Sequence, residues 1–409
     1  MLALGSRRNA RLPGSRGIVS RLLRRHRRLS RAEIAQRSGL SEASVSRTVA
    51  ELIKNGIVEE EGFERSTGGR PAIRLRLSDQ RYFSIGVDIR SWEIRFSTSS
   101  PSGSVRDLPF LRTPSEPAKT LEVIARVVEE QIEAQPDREL IGVGISIGGL
   151  VDSQAGVVEL GHDVGWYAYP ARQELEERLG LPVFIENNVR AASFAEYHYG
   201  SPDVRDAQCL LFVGVQEGIG VSILFDGEVY AGQHMAAGEF GQMVVEYRED
   251  EARHDRPGCL EQLASDCATI ARYQAVSGGK DSGGDVGAQV RQICHLAQSG
   301  DAHAETALRE TARYLGVGIY NMVWGLDPDA VIVDGLITEA WNIVGPAIRD
   351  QFPRGREFLG FRDLVLRPSA LAGQASLVGA AVLPLRELFD SGNLPSLASA
   401  GSTSAEARA

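Results

Sequence analysis

Several residues in the first quarter of the chain have the chemistry to read a nucleic acid. They are Ser41, Glu42, Ala43, Ser44, Ser46 and Arg47 in one run, and Arg70 further on. The hydroxyls can donate and accept, Ala43 permits close approach, and a guanidinium can take a phosphate or fork onto a guanine. Arg70, held between Gly69 and rigid Pro71, suits the narrow, electronegative minor groove of A·T-rich DNA.

Side chains of this kind need a scaffold, and the flanking sequence encodes one. Ile18, Leu22 and Leu23 have the spacing of a short amphipathic helix over residues 17–27. Ser30-Arg31-Ala32-Glu33 has the form of a capping box, with the hydroxyl taking an orphan N–H while Glu33 reaches back. That box opens a helix ending at about Ser38, with Ile34 and Ala35 inward. Gly39-Leu40 then turns the chain, and Ser41 caps a second helix through Asn55. Val45, Val49, Leu52 and Ile53 form its buried stripe, and Gly56 ends it. Two short helices across a glycine-containing turn predict a helix-turn-helix, whose second helix enters the major groove. Residues 57–60 and 73–77 suit strands, with Ser66-Thr67-Gly68-Gly69-Arg70-Pro71 as the turn between them. A hairpin beside a recognition helix is a wing.

Charge follows the same division. Residues 1–80 hold 17 Lys and Arg against 8 Asp and Glu, so of the totals of 44 and 54 the remainder holds 27 against 46. The head is drawn to a phosphate backbone and the body is repelled by it. The four cysteines, Cys209, Cys259, Cys267 and Cys294, have no framework spacing, which predicts a reducing cytoplasmic setting. The longest apolar runs are too short for a membrane span, and the Arg-rich start lacks the apolar core and cleavage site of a signal peptide. No membrane partner is expected.

At 409 residues the chain calls for two or three domains. Beyond residue 80 it alternates between strands and helices. Strands are expected at 82–89, 92–97, 140–147 and 183–186, with helices at 120–133, 172–179 and 189–199. A second set has strands at 209–215, 221–225, 228–231 and 330–333, a long helix at 306–325 and a closing helix at 374–389. This is an α/β pattern of two lobes with a cleft between them. The expected organisation is a mobile basic arm at 1–15, a winged helix-turn-helix at 16–80, a first lobe at 81–200 plus 373–390, a second lobe at 201–372 and a disordered tail at 391–409. No internal repeat is evident.

Five segments then carry a specific resemblance: Gly69-Arg70-Pro71, Gly165-Trp166, Glu186-Asn187-Asn188-Val189-Arg190-Ala191-Ala192, Ala237-Gly238-Glu239-Phe240-Gly241-Gln242 and Gly258-Cys259-Leu260-Glu261. In this order and spacing the chain, from about residue 15 to 390, resembles the ROK family (repressors, open reading frames and sugar kinases) in its repressor branch. The resemblance implies an actin/hexokinase-like ATPase fold, a sugar in the interlobe cleft, and a homodimer or homotetramer. It also implies sugar contacts from Asn187, Asn188, Glu239, Gln242 and Glu261. Carboxylates and amides suit a polyol, because each buried hydroxyl needs partners for its donor and its lone pairs.

Departures from the kinase pattern bear on the chemistry. Where family kinases have Asp-x-Gly-Gly-Thr this chain has Asp88-Ile89-Arg90-Ser91-Trp92, which sets bulky Arg90 and Trp92 where phosphates need room. The second phosphate loop reads Gln216-Glu217-Gly218-Ile219-Gly220, with Glu217 repelling a triphosphate. The family's catalytic Asp is Asn188 here, and an amide cannot take the sugar hydroxyl's proton. Of the four zinc positions implied, this chain offers Gln242, Ala252, His254 and Cys259, too few to close a tetrahedral site. The expectation is no metal, no cofactor and no catalysis. The chain reads as a sugar-responsive regulator of a double-stranded DNA operator. A sugar kinase with an appended DNA-binding head, and a DNA-binding protein blind to sugar, are the competing readings.

Overall fold

The structure is a computed structural model and describes residues 14–63, 73–161, 164–247, 258–278, 284–353, 361 and 363–390. The head holds three helices, α1 (Ser15–His26), α2 (Arg31–Ser38) and α3 (Glu42–Lys54), then strands β1 (Val58–Phe63) and β2 (Ile73–Leu77). Local signals explain the boundaries. The capping box forms, with Glu33 N–H donating to the Ser30 hydroxyl at 3.3 Å and Ser30 N–H to the Glu33 carboxylate at 2.7 Å. Gly39 closes α2 at φ +69°, a left-handed position that favours glycine. The Ser41 hydroxyl accepts the Ser44 N–H and starts α3. β1 and β2 pair antiparallel with Glu59 opposite Arg76. Arg70 and the expected wing tip lie outside the described residues, as do the basic arm through residue 13 and the tail from residue 391.

The body opens with an antiparallel meander, β3 (Tyr82–Ile89), β4 (Glu93–Ser99) and β5 (Val105–Arg112). There follow α4 (Pro117–Ala134), β6 (Glu139–Ile147), a small sheet of β7 (Leu150–Asp152), β8 (Val157–Gly161) and β9 (Trp166–Tyr169), then α5 (Ala171–Leu179), β10 (Val183–Asn187) and α6 (Asn188–Tyr199). The second half runs β11 (Cys209–Val215), β12 (Ile219–Phe225), β13 (Glu228–Val229), α7 (Leu260–Ala264), α8 (Asp266–Ser277), α9 (Val286–Gln298) and α10 (Ala302–Leu326). It continues with β14 (Ala330–Asp334), α11 (Trp341–Arg349) and β15 (Val365–Pro368), and α12 (Ala375–Asp390) closes it.

The two large sheets have the orders β10-β6-β3-β4-β5 and β15-β14-β11-β12-β13. Each begins with three antiparallel strands, and its last two strands add in parallel on the other side. The body is therefore one topology built twice, without a repeat in the sequence to announce it. Backbone pairing preserves such a pattern while many apolar sequences satisfy it. β5 escaped the sequence because its charges and Pro109 blur any alternation.

Helices α6 and α12 hold the two halves together. α6 sends Val189, Ala192 and Tyr197 into a core shared with Leu210, Phe212 and Leu224 of the second sheet. α12 lies so close to the first half that a Cβ at Gly144 would fall 1.9 Å from the Ala380 oxygen. One at Gly379 would fall 2.1 Å from the Ala191 oxygen of α6. The head is not merely tethered. Its core of Val19, Leu23, Val45, Val49 and Leu52 runs on into Phe194 of α6 and into Val382 and Leu385 of α12. Among the described residues no helix is long and apolar enough to cross a membrane.

Candidate functional site

On α3, Ser41, Glu42, Ala43, Ser46 and Arg47 are exposed and Ser44 is half-buried, while Val45, Thr48, Val49 and Leu52 face inward. Ile53, expected in the stripe, is only half-buried, and buried Thr48 was missed. Arg47 makes no ion pair or hydrogen bond among the described residues. Four other head cations are engaged: Arg28 with Glu61 at 2.6 Å, Arg31 with Glu60 at 2.8 Å, Arg74 with Glu33 and Arg76 with Glu59. Arg47 thus stands forward on a face otherwise made of Glu42 and small residues, which suits insertion into a groove.

In the body, the carboxyl ends of β6 and β10 and the first turn of α6 come together. The Asn187 side-chain oxygen accepts the Val189 and Arg190 N–H groups at 3.0 and 3.1 Å, and its amide donates to the Gly149 oxygen at 2.8 Å. Asn187 therefore starts α6 and ties it to the Gly148-Gly149 turn, a structural duty the sequence reading did not give it. Asn188 reaches Gln216 at 3.4 Å across the junction of the two halves.

Gln242 and Glu261 do converge, with the amide donating to the carboxylate at 3.3 Å. The other Glu261 oxygen accepts the Ile219 N–H at 2.9 Å and so braces the Gln216–Gly220 loop. Glu239 lies at the surface of the same region. Crowding by protein raises its pKa, Arg190 opposes that rise, and the Glu261 charge adds to it. Arg190 is buried and ion-paired to Glu186 at 3.2 Å, and it also donates to the Met235 oxygen. Glu186 in turn takes the Ser153 hydroxyl at 2.7 Å. This buried brace was missed, although a Glu and an Arg four apart at a strand–helix junction are its sequence signature.

The segments expected to correspond to the kinases' phosphate loops carry their own contacts. Buried Asp88 accepts the Ser146 hydroxyl at 2.5 Å, the Ser376 hydroxyl at 3.0 Å and the Arg90 guanidinium at 2.8 Å. Burial would raise its pKa, but Arg90 and the Ser146 hydroxyl more than offset that and hold it below the ordinary carboxylate value. Arg90 is raised foremost by the Asp88 charge and also feels Asp334, at the end of β14 in the other half. A fixed internal cation therefore stands between two acids. Trp92 does not share this burial. A tight turn, in which Arg90 N–H donates to the Glu93 oxygen, carries Trp92 outward. It is 50% exposed and sits edge-on to Phe110 at 6.3 Å.

Glu217 stands exposed at the tip of the second loop, with Asp266 buried near it. Burial, then the Glu217 charge, push Asp266 up to about 7. No spacing rule announces Asp266.

Trp166 is a fully buried core residue, whereas His254 lies outside the described residues. Cys259 is buried and bridges to Val244. Among the described residues no three His, Cys, Asp or Glu side chains group as a metal site.

Known proteins share this arrangement. A model described as "ROK family" matches residues 84–387, and one described as "Winged helix-turn-helix DNA-binding" matches residues 17–59. The xylose repressor of Caldicellulosiruptor bescii is 25% identical over 372 residues, covering 88% of this chain and 92% of its own. The DNA-binding transcriptional dual regulator NagC of Escherichia coli is 28% identical over 335 residues, covering 81% and 82%. A solved ROK family transcriptional regulator, a homologue of the E. coli MLC protein, superposes with a TM-score of 0.76 at 24% identity, covering 92% of this chain and 96% of its own. A ROK glucokinase from Streptomyces griseus, solved with glucose and AMPPNP, aligns with a TM-score of 0.63 at 26% identity, covering 74% and 98%. The shorter coverage reflects the head, since the kinase aligns over nearly its whole length. With its winged helix-turn-helix head and a body matched over most of its length, this chain belongs to the ROK family.

Proposed function

We propose that the protein is a sugar-responsive transcriptional repressor, acting as a homodimer or homotetramer on a double-stranded DNA operator. In this reading α3 and its exposed Arg47 read the major groove, with Arg70 at the wing. Asn187, Asn188, Glu239, Gln242 and Glu261 take the hydroxyls of a monosaccharide, xylose and N-acetylglucosamine being first candidates from the relatives' names. The body does not transfer phosphate. Asn188 cannot act as a base, Arg90 fills the charge site at Asp88, and the exposed Glu217 opposes a triphosphate.

The observation that carries this reading is the continuity of the head's core with α6 and α12. α6 begins at the asparagines of the sugar region and ends against the head. Closure of the two halves around a sugar would move that helix, and with it the seat of the head. Two heads on a two-fold operator require a fixed separation, so a small rotation changes the fit. Fluorescence anisotropy on DNA from upstream of the protein's own gene, titrated with a monosaccharide panel, tests this. One sugar is expected to change DNA affinity at least fivefold. Affinity indifferent to every sugar, or steady ATP-dependent phosphorylation of one, would overturn it.

A further inference from the structure

A cavity of about 350 Å³ opens outside the sugar cleft, between the head and the β4–β5 turn of the body. Its walls include Arg24 from α1, Arg27 and Arg28 just beyond the end of that helix, Arg76 from β2, and the turn from Ser102 to Ser104. No residue lining it is acidic. The volume lies at the small end of the range for ligand pockets and suits a compact metabolite.

The cations are built in rather than loose. Arg24 is 5% exposed and lies over the Phe194 ring at 5.6 Å. Arg27 lies over the Tyr199 ring at 4.8 Å and donates to the Ser102 oxygen. It has no ion pair among the described residues, and φ +65° puts it in a region non-glycine residues rarely occupy. Burial lowers its pKa, and the charges of Arg205 and Arg24 add to that, against the pull of Tyr199 and Asp79. Arg28 and Arg76 share Glu59 and Glu61 outside the cavity. Asp79 is engaged behind the turn by the Ser102 N–H and hydroxyl, at 3.0 and 2.7 Å. The C-terminus of α1 adds roughly half a negative charge, and Glu59 and Glu61 offset Arg28 and Arg76, so the charge least compensated is that of Arg27.

Keeping a half-buried guanidinium without a counter-anion costs free energy, and a bound anion recovers it. Forked donors arriving from two elements match a tetrahedral dianion better than a flat carboxylate. We propose that this crevice is a second effector site, one that takes a small phosphate-bearing anion and so clamps the DNA-reading head to the body. The anion would touch α1 and β2 on one side and the Ser102–Ser104 turn on the other, fixing the head's angle on α6. The site does not depend on the sugar cleft.

The test follows thermal unfolding of the full chain against inorganic phosphate and glycerol phosphate, at constant ionic strength set with sodium chloride. Both are expected to raise the unfolding temperature saturably. Ser104→Glu, which adds a carboxylate at an exposed lining position, should weaken both at least tenfold, as should Arg27→Gln. Either variant should keep the wild-type affinity for sugar in the absence of DNA, which separates failure of this site from failure of the sugar-binding reading. An equal rise with chloride alone would overturn the proposal, as would wild-type phosphate affinity in Ser104→Glu. So would displacement of phosphate by a random-sequence DNA duplex, since that assigns the cations to the DNA backbone.

Discussion

Asp88, Arg90 and Asn188 together decide what the body can do. A sugar kinase needs a base for the hydroxyl proton and open, donor-lined space for phosphates. In the proposed reading the amide of Asn188 stands where a kinase's base would, and a guanidinium is paired to Asp88 at 2.8 Å. Asn188→Asp alone should therefore yield no phosphoryl transfer in a coupled ADP-release assay; turnover would show that Arg90 does not block the site. The loss proposed at Asn188 rests on residue type. The direction of Trp92 was not legible, because a tight turn, rather than residue size, decides which way a side chain points.

Asp266 makes a separate prediction about pH. Its folded pKa of about 7 lies above the ordinary value of 3.8, so the folded state holds a proton that the unfolded state releases. Stability is then fully present below about 4 and falls as pH rises through 7. Asp266→Asn should raise the unfolding temperature by several degrees at pH 8 and leave it unchanged at pH 4. An equal effect at both pH values would contradict the assignment.

At the level of elements, the caps were readable and the contacts between elements were not. The Ser30/Glu33 box and the Gly39 turn are local, so three residues of sequence suffice to place a helix end. Burial alone would raise the Glu33 pKa, but the Ser30 N–H and hydroxyl and the Arg74 guanidinium hold it down at about 2. A depressed carboxylate contributes stability above its unfolded pKa, and that contribution is lost as pH falls toward 2. Glu33→Gln should narrow the difference in unfolding temperature between pH 6 and pH 3, as followed by circular dichroism.

The seam of α6 and α12 has no such local signature, because Gly379 looks like any helical glycine until Ala191 is placed against it. A Cβ there meets backbone, which cannot swing aside. Gly379→Ala should cost about 1–3 kcal/mol in denaturant unfolding and blunt the sugar response. A neutral substitution would mean the two helices do not press together as described. The doubled topology was invisible for the opposite reason, since very different apolar strands build the same sheet.

Across the whole molecule, the basic head and acidic body were visible in the charge distribution, but their intimate packing was not. Phe194 is buried in the shared core, with the guanidinium of Arg24 at 5.6 Å and that of Arg386 at 4.6 Å from its ring. Phe194→Leu keeps the apolar burial while removing both cation–π contacts. It should leave sugar affinity unchanged and reduce the effect of sugar on DNA binding.

Coupling between two sites is reciprocal: whatever sugar does to DNA affinity, DNA must do to sugar affinity. The decisive measurement is calorimetric titration of the effective sugar into the full-length protein, alone and saturated with operator duplex. The account predicts dissociation constants differing by about 5–150-fold, the usual range for such coupling. Identical constants in the two titrations would contradict it, because the cleft and the head would then be independent.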